Sequence, residues 1–304
     1  MWFRNLQVYR ITSGNITLNE LEEAISQSPL QPCMQTEMQS RGWMMPHEEH
    51  PSFVYALGQQ YLIAFGTEKK LLPVSIVNQH AQERIANIQQ MQGYKPGKKQ
   101  VRDIKEATLI ELLPRAFAQR HKTYAWIDGV NNRLIIDTTS TSKADEFIEA
   151  FLKVMHNIAL APLETKVSPA TAMTQWLSGD DLSSVFTIDR DCELQSSSDE
   201  KATVRYTHHD LDTEETSRHI RVGKKVIKLA LTWQRKISFV LYDTLQIRRI
   251  APHDILKEGV ESDQELFASD FIIMTGEVSQ LISDLIEALG GDKRGNEGRI
   301  GNFV

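Results

Sequence analysis

The chain has 304 residues, 41% hydrophobic and 24% charged, with formal net charge -6 and a pI near 5.9. That composition excludes a disordered or low-complexity chain and a generally basic nucleic-acid coat protein, and it suffices to bury a core without disulfides or metals. Two distant cysteines, Cys33 and Cys192, suit a reducing compartment and exclude a disulfide scaffold or a clustered zinc site.

The opening MWFRNLQVYRI carries Arg4 and Arg10 and lacks the apolar run of a signal peptide. No stretch of about 18 apolar residues occurs, so a cytoplasmic protein without a membrane span is expected. Leu6 to Ile11 alternates as a strand. Thr17 and Glu20 form a capping box that starts a helix running through Ser26, ended by Pro29 and Pro32. Residues 35–51 read as irregular, and Phe53–Ala56 with Tyr61–Phe65 read as a hairpin around Gly58.

Helical spacing follows, with Val77, Ala81, Ile85 and Ile88 over residues 72–92, then Ile104, Leu109, Leu112, Leu113 and Phe117 over residues 101–118. Gly93 to Gly97 breaks the run, so the pair predicts an antiparallel helical hairpin projecting from a sheet-rich domain, with a kink or last turn at Pro114. Thr123–Asp128 and Arg133–Asp137 predict a second β-hairpin, and residues 143–157 a helix. Residues 161–169 are a linker.

A short helix from Ala170 to Leu177, closed by Gly179, opens the second half. Strands are expected at Val185–Ile188 and Ala202–Thr207, around a polar loop with Ser196, Ser197 and Ser198. An acidic helical turn spans Thr213 to Glu215. A basic sheet is expected over Arg218 to Ile250, and a long helix from Ser262 to Leu289, capped by Gly290 and Gly291, completes the fold. The fold class is α+β, with an N-terminal domain over 1–165 carrying the hairpin insertion at about 72–120. A C-terminal domain covers 166–291, and residues 292–304 are a tail.

Charge is segregated. Thr216 to Tyr242 contains no acid but seven bases: Arg218, Arg221, Lys224, Lys225, Lys228, Arg235 and Lys236. Asp254 to Glu287 holds nine acids and one base. A second basic cluster joins Arg115, Arg120, His121 and Lys122. Strict alternation over Lys224 to Trp233 puts Lys225, Ile227, Leu229, Leu231 and Trp233 on one face, with Lys224, Val226, Lys228, Ala230 and Thr232 on the other. Lys236, Ser238, Val240 and Tyr242 of the next strand extend the second face. Two readings stay open: the solvated side of a core sheet, or a cationic floor that meets phosphates without reading sequence.

Chemical motifs are absent where catalysis would need them. Gly223-Lys224-Lys225 lacks the upstream glycine and the following Ser or Thr of a phosphate loop. His208-His209-Asp210 on one strand would point its imidazoles to opposite faces, so no metal site is expected. No nucleophile elbow stands out. The expectation is a non-enzymatic protein without cofactor or metal.

Several blocks then stand in a recognisable order: WFRNLQVYRI at the start, Gly42-Trp43, LLPRAF at Leu112 to Phe117, WID at Trp126 to Asp128, GKKVIKLALTW at Gly223 to Trp233, and DFIIMTGEVSQLISDLIEALGG at Asp270 to Gly291. Over nearly the whole chain this resembles the bacterial RdgC family. The resemblance implies a nucleoid-associated homodimer, a ring with a positively charged hole for double-stranded DNA. It implies little sequence preference and restraint of RecA-promoted strand exchange, with consequences for recombination and replication. By motif match it implies a DNA contact at Lys224 and a dimer contact at Phe117. Where the family has a Lys-Gln pair at the second ring contact, this chain has His208 and His209, so the resemblance implies a second dimer contact there made by imidazoles. Arg221, Lys228, Lys236 and Arg115 are the further candidate DNA-binding residues. Single-stranded DNA is a possible second ligand. The competing class is a regulatory module that docks another protein through its acidic late helix or its helical hairpin, without touching DNA.

Overall fold

A computed structural model of the chain describes residues 1–179, 182–196, 201–211, 213–253 and 263–293. The chain is mixed helix and strand, built on antiparallel sheet. It divides into two compact units that are interleaved in sequence. One comprises residues 1–17, 56–62 and 125–304, and the other residues 18–55 and 63–124.

In the larger unit the strand order is β6 (Arg133–Asp137), β1 (Leu6–Ser13), β12 (Ile247–Pro252), β11 (Ile237–Tyr242), β10 (Lys224–Trp233), β8 (Phe186–Ser196) and β9 (Thr203–Tyr206). A short strand, β7 (Ala159–Pro162), also pairs with β1, and its last two residues fall in the stretch expected to be linker. The expected hairpin at Asp128 to Arg133 forms, with Trp126 opposite Ile135. Asn132 takes a positive φ of 53° in its turn.

Three helices complete the core of this unit. In α4 (Thr141–Val154) the fully buried Phe147 and Phe151 lie one turn apart, and Ser140 caps the helix by accepting from the Lys143 amide. In α5 (Pro169–Leu177) Ser168 is the cap, and the Thr174 hydroxyl accepts from the Val226 amide at 3.0 Å, pinning the helix to β10. In α7 (Asp263–Ala288) the apolar stripe is realised from Phe271 on: Phe271, Met274, Val278, Leu281 and Leu285 are buried, as is Leu289 just past the helix, while Phe267 is half-buried. Removing such a stripe from water is the main term holding a helix to a sheet. The Trp233 indole donates to Asp284 at 2.8 Å, which fixes the helix over the end of β10. Gly290 and Gly291 end it at φ of 80° and 95°, left-handed values that glycine adopts without strain.

The smaller unit holds α1 (Leu18–Ser26), β2 (Gln39–Met44), half of β3 (Val54–Leu57) and most of β4 (Gln60–Leu71) and β5 (Phe117–Asp128). It also holds two helices, α2 (Val74–Gln92) and α3 (Lys98–Leu112). The last two are tied by an ion pair between Arg84 and Glu111. Gly93 ends α2 in the left-handed region at φ 78°. Val77 and Ala81, the first two residues of the expected stripe, are buried.

Several expectations are corrected. Gln39–Met44 is a strand, not irregular chain: it pairs with β4 from Gln39 opposite Lys69 to Met44 opposite Ala64. A glycine next to a tryptophan, after three polar residues, hides the alternation that marks a strand. The second helix stops at Leu112, because Pro114 has no amide to continue the ladder. Leu113–Arg115 is a single 3-10 turn and Phe117 already begins β5, so Phe117 lies on a strand rather than a helix. The strand expected to end at Ile188 continues to Ser196, while Ser197 and Ser198 lie outside the described residues. The acidic turn at Thr213 grows into α6 (Thr213–Arg221), which takes Arg218 and Arg221 out of the sheet. The expected helix start at Ser262 and the tail beyond residue 293 also lie outside the described residues. Among the described residues no helix is long and apolar enough to cross a membrane.

Candidate nucleic-acid interface

The site is built on β10, whose alternation is broken once. Val226 pairs with Leu194, but the next registered pair is Lys228 with Glu193, so β10 spends one residue more than β8 at Ile227. Such a bulge reverses the phase of every side chain beyond it. Val226 and Leu229 are both fully buried, whereas strict alternation would place them on opposite faces. Lys225 is exposed and opposite Gln195, two residues from Glu193 on β8. Lys225 therefore shares the open face with Lys228, and Lys224 falls in phase with buried Val226. The expected assignment of these two lysines to faces is reversed.

That open face is not uniformly cationic, because β8 brings acids to it. The Lys228 ammonium donates to Glu193 Oε2 at 2.7 Å. Arg205 on β9 donates to the same oxygen from Nε at 3.1 Å and lies at 2.9 Å through Nη2. Burial pushes the Glu193 carboxyl up, but the hydrogen bonds and charges of Lys228 and Arg205 outweigh it, so the group sits below the usual glutamate range. Further along, the Thr232 hydroxyl donates to Asp189 at 2.8 Å. Two cations lie over the Tyr242 ring, with Lys228 Nζ 5.3 Å and the Arg248 guanidinium 4.4 Å from its centre. These are cation–π distances.

Arg249 stands beside this cluster. It is exposed, and its φ of 55° marks a local break in β12. Together with Asp191, Glu193, Arg205, Lys228 and Tyr242 it lines a cavity of about 250 Å³. Cys192, in the same wall, is no nucleophile: burial, with help from Asp191, pushes its thiol up to about 12.

Upstream of β10, Arg218 and Arg221 end α6 and Gly223 turns the chain at φ 87° into Lys224. Among the described residues, Arg218, Arg221, Lys224 and Lys225 have no carboxylate within ion-pair distance. Arg218 and Arg221 also lie in the last turn of α6, where the helix dipole favours cations. The Glu215 carboxylate of α6 accepts from the Tyr206 hydroxyl at 3.1 Å, a proton that burial and this acid hold by raising the phenol to about 12.

The remaining expected residues are scattered. Lys236 does not join Lys228. Its ammonium is held by Glu277 of α7 at 2.9 and 3.1 Å and sits 5.7 Å over the Trp233 ring. Arg115 is exposed on the 3-10 turn of the smaller unit, and Phe117, two residues on, is 84% exposed. His208 has a φ of 51° and donates its amide to Asp191 at 2.7 Å, and the His209 ring contacts the Asp210 carbonyl at 2.7 Å. Both imidazoles are exposed. Glu193, Arg205, Arg248 and Arg249 escaped the sequence reading. Glu193 and Lys228 are 35 residues apart, and no local spacing announces a partner set by strand register.

Comparison with known proteins covers almost the whole chain. A family model described as "Putative exonuclease, RdgC" matches residues 1–292. A protein of Herminiimonas arsenicoxydans named "Recombination-associated protein RdgC" is 45% identical over 298 residues, covering 96% of this chain and 99% of that protein. Proteins of the same name from Cupriavidus pinatubonensis and Bordetella pertussis are 46% and 42% identical over 299 residues, each covering 97% of this chain and 100% of the relative.

Proposed function

We propose a function from one premise: the chain belongs to the RdgC family, and its relatives are named for recombination. On this reading it is a non-enzymatic protein that binds double-stranded DNA through the phosphate backbone. It encircles the duplex as a ring-shaped homodimer, associates with the nucleoid and restrains RecA during recombination. The observation that carries the DNA contact is the run of cations at Arg218, Arg221, Lys224 and Lys225 that have no carboxylate partner among the described residues, with Lys225 sharing its face of the sheet with Lys228. Unpaired cations on a rigid turn and strand can exchange water and counterions for phosphates, and lysines there carry no sequence information. The 84% exposed Phe117 is available for a contact between copies, where covering its ring would remove apolar surface from water.

The test is a salt titration of binding to duplexes of two unrelated sequences. Affinity is expected to be equal for the two and to fall with salt at a slope of about -0.9 per phosphate neutralised. Lys224→Ala should weaken both duplexes alike and lower that slope by about one. Affinity independent of salt, or undiminished in Lys224→Ala, removes the backbone-contact mechanism.

The printed description of the family model favours a second reading, hydrolysis of DNA ends. Incubating end-labelled duplex with the protein and Mg²⁺ or Mn²⁺ decides it. Release of nucleotides that scales with protein and is lost in a site variant would replace the binding reading with a nuclease.

A further inference from the structure

The cavity on the open face of the larger unit carries more than a share of general positive charge. Its cations come from three strands: Arg205 from β9, Lys228 from β10 and Arg249 from β12. Two of them converge on one atom, Glu193 Oε2, at 2.7 to 3.1 Å, the spacing of charge-assisted bonds to an oxyanion. Glu193 itself is 8% exposed, so its carboxylate is held inside the cavity rather than in solvent. Arg249 lines the same space and has no acid of its own among the described residues. The Asp191 carboxylate, the other acid of the wall, accepts from the His208 amide. Three cations against two carboxylates leave the cavity one positive charge in excess.

We propose that this cavity is an oxyanion site shaped for a backbone phosphate, and that the Glu193 carboxylate is its resting occupant, standing where a phosphate oxygen would bind. Arg249 makes the first contact with the incoming anion. Lys228 and Arg205 then transfer their hydrogen bonds from the carboxylate to the phosphate, whose tetrahedral oxygens can take all three donors. Glu193 thereby sets a threshold. An isolated anion competes poorly for Lys228 and Arg205, whereas a polyanion anchored nearby at Lys225 and Arg221 presents phosphates at high effective concentration and displaces the carboxylate. The inference rests on the proposed DNA binding for the identity of the polyanion, but the oxyanion site itself does not depend on it.

The experiment uses the full chain and two probes, inorganic pyrophosphate by calorimetry and a duplex oligonucleotide by fluorescence anisotropy. Glu193→Gln keeps the side-chain shape and removes the competing charge. It should tighten pyrophosphate about fivefold to tenfold, and it should steepen the salt slope for duplex by about one to two as one or two cations are set free. Adding Arg249→Ala to Glu193→Gln should reverse most of the gain. Unchanged or weaker pyrophosphate binding by a Glu193→Gln protein that unfolds at the normal temperature overturns the proposal. Tighter pyrophosphate with no duplex binding by any form keeps the oxyanion site and removes DNA as its ligand. Should Glu193→Gln fail to fold, Arg249→Ala alone decides. Arg249 is exposed, so its loss leaves the core intact, and unaltered affinity for both probes then counts against the site.

Discussion

At the scale of single residues, two glycines facing each other show how much a missing side chain can matter. Gly42 on β2 is opposite Gly66 on β4. A Cβ at Gly42 would stand 2.5 Å from the Leu30 amide nitrogen and Cα and 2.7 Å from the Pro29 carbonyl carbon. Those atoms cannot move freely, because the Leu30 amide donates to the Trp43 carbonyl at 2.8 Å and the Trp43 amide to the Ser28 carbonyl at 2.9 Å. A Cβ at Gly66 would instead meet the ends of the Met44 and Leu30 side chains, which can rotate away. Gly42→Ala should therefore cost about 2–3 kcal/mol in urea unfolding, and Gly66→Ala less than about 1 kcal/mol. Equal costs for the two would show that backbone approach is not what selects glycine at Gly42.

At the scale of elements, β10 and α7 define each other. Trp233 is 1% exposed under α7 and bonded to Asp284, and Lys236 reaches Glu277 of the same helix. Acids that composition alone offers as a docking surface are thus partly spent inside the unit: Glu277 on Lys236, Asp284 on Trp233, and Asp270 on the N-terminal ammonium of Met1. Lys236, counted by alternation as part of a DNA-facing row, is engaged by a helix instead. Lys236→Ala should leave duplex affinity within about twofold and lower stability by about 0.5–1.5 kcal/mol, the range for one partly buried hydrogen-bonded pair. A tenfold loss of DNA affinity with unchanged stability would return Lys236 to the interface.

At the scale of the whole molecule, function on the proposed reading needs a second copy. Phe117 is the most exposed of the described aromatic side chains, and it lies on β5 three residues past Pro114, where the chain leaves its 3-10 turn. Phe117→Asp puts a charge where an apolar contact is proposed. It should shift the protein from dimer to monomer in light scattering at micromolar concentration and weaken duplex binding, because one copy cannot surround DNA. A dimer of unchanged mass would take Phe117 out of the contact. The variant should fold normally, since the side chain is in solvent in the single chain.

Much of this protein is determined by its sequence alone. Local rules mark the apolar stripe of α7, the end of α2 at Gly93 and the hairpin between Asp128 and Arg133, because each depends on residues within a few positions of one another. The order of the motif blocks is enough for the family resemblance. The face each lysine of β10 occupies was decided only by tertiary structure. One extra residue at Ile227 exchanges Lys224 and Lys225 between faces, and a bulge is a property of two strands in register, not of one strand's periodicity. The partners of Lys228 and Lys236 were decided the same way, by Glu193 on a neighbouring strand and Glu277 on a distant helix. Charge segregation along a chain says where cations are plentiful. Only packing says which of them remain without a carboxylate.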